Sequence, residues 1–114
     1  MYDHIAEGFI YAENSGSLIE YVCNRISQLC QSISQEQHDW LLNFGEGTST
    51  LRPNGDRLLF RIMAQNVLVL YGIQTAIEGS LATLSTGTAY RIEWMAGNNI
   101  PFAAIEALIR DRRA

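Results

Sequence analysis

The chain contains no lysine: all eight of its basic residues are arginine, set against twelve carboxylates for a formal net charge of −4. A Schiff-base lysine and a phosphate-loop lysine are therefore both excluded. The acidic balance also argues against a nucleic-acid partner, which a basic surface would serve. Cysteine is scarce (two), as are histidine (two) and proline (two). No apolar run approaches the roughly 18–20 residues that a membrane-spanning helix needs. The start, Met1-Tyr2-Asp3-His4-Ile5, lacks the basic and apolar regions of a signal peptide, so a cytoplasmic location is expected.

What is present is a folding composition. Of 114 residues, 47% are hydrophobic and 18% charged, enough for one core in a single domain spanning 1–114. Phe9 and Tyr11 alternate with Ile10 and Ala12, which predicts a first strand. Ser17 and Glu20 have capping-box spacing, and Leu18, Val22, Ile26, Leu29 and Ile33 recur at helical steps. A helix over 17–33 follows, then a polar loop over 34–38. Trp40, Leu42 and Phe44, the threonine-rich 48–51 segment, and Leu58, Phe60 and Ile62 predict a three-stranded meander over 39–64. Its hairpin falls at Pro53-Asn54-Gly55-Asp56.

Asn66 can cap a second helix whose apolar stripe is Leu70, Ile73, Ile77, Leu81 and Leu84. Gly72 and Gly79, seven apart on it, suggest close packing. Tyr90, Ile92 and Trp94 predict a last strand, and Pro101 opens a short peripheral C-terminal helix within 98–114 that ends in Arg110, Arg112 and Arg113. The order β-α-β-β-β-α-β-α predicts an α+β fold, a two-layer sandwich with helices on one face of a mostly antiparallel sheet.

Chemistry-bearing residues are few. Cys23 and Cys30, seven apart in the expected helix, lie roughly 10 Å apart there, too far for a disulfide. Their spacing is not that of zinc ligands, and no calcium-loop pattern occurs, so no metal or cofactor is expected. His38 stands beside Asp39, but adjacent residues entering a strand point opposite ways, which leaves no catalytic pair. Gly45-Glu46-Gly47 joins strands and opens no helix toward a phosphate. The more suggestive set is Arg57, Arg61 and Arg91 with Leu59 and Met95, charges and apolar residues interleaved on the open sheet face. Such a face reads either as solvated cross-strand pairs or as a partner- or anion-binding surface.

The helix Leu18–Cys30 with its L-x-x-Y-V-C-x-x-I-x-x-L-C pattern, Gly45 after an aromatic strand, the strand Leu58–Ala64 and the long helix after it resemble the DUF2218 family over roughly 9–94. These are small bacterial proteins, some associated with siderophore-interacting flavoproteins. The resemblance implies a small-ligand accessory role in iron or redox metabolism, with a pocket lined by Trp40, Phe44, Tyr71 and Trp94. The chain departs from the family pattern near Arg25 and Ser27 and at Ser80-Leu81, where the family carries histidines. Ala82–Gly87 also replaces an aromatic-arginine-glutamate stretch, so no functional residue is carried over.

The leading expectation is a non-catalytic module that binds another protein chain, including a copy of itself as a homodimer through the sheet or the last helix. A small-ligand accessory protein and a phage- or plasmid-encoded inhibitor are the alternatives.

Overall fold

The computed structural model describes residues 3–82 and 91–113. Strand β1 (His4–Tyr11) leads into helix α1 (Ser15–Ile26), which tightens into a 3-10 turn at Ser27–Leu29. Strands β2 (Ser32–Glu36), β3 (Asp39–Asn43), β4 (Gly47–Asn54) and β5 (Arg57–Ala64) run on as hairpins. Helix α2 (Val67–Ala82), strand β6 (Glu93–Ala96) and helix α3 (Ala103–Arg113) complete the chain. The six strands form one sheet in the order β2-β3-β4-β5-β1-β6, and every neighbouring pair is antiparallel. The fold is α+β, as the periodicities require.

Strand alternation divides the core in two. Ile10, Leu42, Leu51, Leu58, Phe60 and Ile62 face α1 and α2 and join Ile19, Val22, Ile26, Ile73 and Ile77 in the main cluster. The next residues along the same strands, Phe9 and Leu59, face the other way and pack with Phe102 and Ile105 of the C-terminal segment. Two helices thus cover one face and α3 covers part of the other, so the one-sided helix layer expected from the sequence is corrected to a two-sided arrangement. The cause is local: β1 and β5 also carry Phe9 and Leu59 on the second face, and this apolar pair is covered by Phe102 and Ile105.

Three other expectations change. Helix α1 begins at Ser15 behind Asn14, so Ser17 is inside it and the capping box is not formed. Cys30 lies past the helix in extended backbone, and the segment expected as helix end and polar loop is the edge strand β2, paired with β3 from Ser32↔Asn43 to Glu36↔Asp39. Among the described residues Gly72 and Gly79 have no close neighbour, because a Cβ at either would meet none of them within 4 Å.

Two expected details hold. Gly55 takes a φ of 65° in the β4–β5 turn, where a side chain would be strained. Asn66 Oδ1 accepts a 2.9 Å hydrogen bond from the Val69 amide and caps α2. Pro53 sits within β4 beyond the last β3–β4 pair, Trp40↔Leu51, where its missing N–H removes no bond from that ladder.

Candidate functional site

The chemistry of the α3 side begins at Glu7, a carboxylate in an otherwise apolar strand. It is fully buried and pairs across the sheet with Arg61, which is 4% exposed. Arg61 Nη1 donates to Glu7 Oε2 at 2.5 Å, and Nη2 donates to the Asn98 carbonyl at 2.8 Å. The same Oε2 accepts the Phe102 amide at 2.7 Å. Glu7 Oε1 is buried and has no hydrogen-bond partner among the described residues.

Phe102 carries a φ of 64°, an uncommon value for a bulky residue. That backbone turns its N–H inward to Glu7 and its ring into the sheet, where it is fully buried. The Arg52 guanidinium lies 4.5 Å from the ring centroid and is held there by a two-pronged pair with Asp39 at 2.7 and 2.8 Å. The hydrogen bonds to Asp39 raise the Arg52 pKa above its usual value. Asp39, Arg52, Phe102, Glu7, Arg61 and Asn98 therefore form one continuous network. It fastens the segment before α3 to the sheet.

This network relocates the arginine set singled out in the sequence. Arg61 is committed internally to Glu7 and Asn98. Arg57 is half-buried, with its guanidinium 5.1 Å from the Tyr11 ring centroid and 3.5 Å from Asp56. Arg91 is exposed and precedes β6. Leu59 is fully buried beneath α3, and Met95 packs at the edge of the same cluster. Of this set, Arg61, Leu59 and Met95 serve the docking of the C-terminal segment.

The aromatic set is also dispersed. Trp40, Phe44 and Trp94 pack against the main core, with Trp94 6.1 Å from Phe60 between ring centroids. Tyr71 stands apart on α2 and is 58% exposed. Trp40 does border a cleft of about 370 Å³ with Ser17, Glu20, Gln35, His38 and Pro53, between the start of α1 and the β2–β3 turn. A second hollow of about 320 Å³ lies on the α3 side of the sheet, at β2–β4, lined by Ser32, Ser34, Leu41, Asn43, Thr48 and Thr50. Among the described residues no group of three or more His, Cys, Asp or Glu is placed to hold a metal ion. None of the helices there is long and apolar enough to cross a membrane.

The remaining feature is the outer face of α2. Val67, Leu68 and Tyr71 are 43%, 81% and 58% exposed, half of the large exposed hydrophobic residues in the described chain, and they adjoin at helical spacing. Sequence reading passed over this face. Its signal was the run Val67-Leu68-Val69-Leu70, which places apolar residues around the whole helix instead of on one stripe. Glu7 was missed as well, although a lone carboxylate inside Ile5–Tyr11 was visible.

No protein-family profile matches the chain, and no curated protein does either. Among solved structures it is similar to the NMR structure of PA4090 from Pseudomonas aeruginosa. The TM-score is 0.66 at 13% identity, over 81% of this chain and 95% of that one. At that identity the likeness is one of fold.

Proposed function

We propose that this chain is a non-catalytic protein-binding module of the bacterial cytoplasm. The observation that carries the reading is the outer face of α2, where Val67, Leu68 and Tyr71 hold apolar surface in water at the start of a capped helix. Exposed apolar patches on soluble chains mark contact surfaces. The internal use of Glu7, Arg52 and Arg61 supports the same reading, since the buried charged groups fasten α3. The cytoplasmic element of the reading rests on two free thiols, Cys23 and Cys30, which suit a reducing compartment.

In-cell photo-crosslinking tests it. A photoreactive phenylalanine at Tyr71 is expected to give discrete protein adducts, while the same group at exposed Glu36 on the opposite part of the molecule gives none. Absence of adducts at Tyr71, together with a thermal shift from flavins or ferric siderophores, would transfer the function to the Trp40 cleft and a small ligand.

A further inference from the structure

The C-terminal segment holds the sheet through few side chains. Asn98, Asn99, Ile100 and Pro101 are exposed and belong to no helix or strand. Phe102 is fully buried, and among the described side chains of α3 only Ile105 is buried as well. Beyond it Glu106, Ile109 and Arg110 line a hollow of about 280 Å³ against Asn54 at the end of β4, so the later turns of the helix stand off the sheet.

Docking this segment carries costs of its own. Phe102 sits at a φ of 64°, in the left-handed region that a bulky side chain disfavours. Beneath it Glu7 is fully buried and Arg61 nearly so, and Glu7 Oε1 has no hydrogen-bond partner among the described residues. Burying charge costs desolvation that pairing returns only in part.

Lifting the segment, by contrast, strands no charge. Glu7 pairs with Arg61 between β1 and β5, and Asp39 pairs with Arg52 between β3 and β4, so both ion pairs are made inside the sheet. Opening gives up the Phe102 amide on Glu7, the Asn98 carbonyl on Arg61 and the stacking of Arg52 on Phe102. It also gives up the apolar contact of Phe102 and Ile105 with Phe9 and Leu59. The main core of Ile19, Val22, Phe60 and Ile77 on the other face is untouched.

We infer that residues 98–113 form a strap that lifts from the sheet as one unit, hinged within 98–101, while the sheet, α1 and α2 stay folded. Segments with few buried apolar contacts open below the free energy of global unfolding. The lifted state bares Phe9 and Leu59 beside the two ion pairs, a mixed apolar and charged surface that the closed chain conceals. The strap is a conformational device that sets how often this surface is open to water.

Two measurements on the full chain test this. Native amide exchange should show residues 103–111 opening at least about ten times more often than α1. Leu59→Cys in a Cys30→Ser background places a thiol under the strap, with Cys23 in the main core as the reference in the same molecule. Without denaturant, iodoacetamide should label position 59 at least about ten times faster than Cys23, each rate divided by its value in urea. A destabilised variant raises both rates together, so their ratio still decides. Equal rates at the two thiols overturn the inference. Rapid exchange over 103–111 with position 59 as slow as Cys23 means that α3 only frays, and that overturns it too.

Discussion

Glu7 and Arg61 show how much one buried pair can organise. Their charges are out of water, and Glu7 Oε2 serves both Arg61 and the Phe102 amide. Arg61→Leu strands that carboxylate and is expected to cost about 3–5 kcal/mol in urea unfolding. Adding Glu7→Leu removes the stranded charge, so the double variant should lose much less than the sum of the two single losses, a coupling that a double-mutant cycle measures. A second residue-scale expectation concerns Cys23. Burial, with a smaller contribution from Cys30, pushes its thiol from 9.0 up to about 11. The folded state thus prefers the protonated thiol. Its contribution to stability is fully present below pH 9 and is lost as pH rises toward 11. In native protein at pH 8, iodoacetamide should modify Cys23 far more slowly than in urea, as mass spectrometry would show.

At the scale of elements, α3 depends on one ring. Phe102 lies between Arg52 and the apolar patch of Phe9 and Leu59, and its backbone is held at a φ of 64° by Glu7. Phe102→Ala should cost about 3–5 kcal/mol and raise amide exchange in α3 before the rest of the molecule, because α3 touches the sheet mainly through this cluster. Gly79→Ala should act in the other direction, stabilising the isolated chain by about 0.5–1 kcal/mol in thermal melts, since its Cβ enters open space.

These elements were unequally legible in the sequence. Leu18, Val22 and Ile26 fixed α1 through spacing alone, and Asn54-Gly55 fixed the β4–β5 hairpin through turn chemistry. Strand β2 was illegible because Ile33 continues the helical spacing of Leu29, and Ser32, Ser34 and Gln35 have little strand propensity of their own. What makes it a strand is its pairing with β3, a tertiary effect. The arginine face misled for a similar reason. Alternation correctly placed Arg61 and Leu59 on one side of β5, but nothing local to β5 says that Phe102, far along the chain, covers that side.

At the scale of the whole molecule, the sheet is covered by α1 and α2 on one face and by α3 on part of the other, and buried charge is concentrated where α3 docks. The outward face of α2 then stands out as exposed apolar surface among the described residues. We propose this face as the place where the module meets another protein chain. In-cell photo-crosslinking from position 71 tests that most directly. The prediction is discrete protein adducts from position 71 and none from position 36. No adducts from position 71, or the same adducts from both positions, would contradict it.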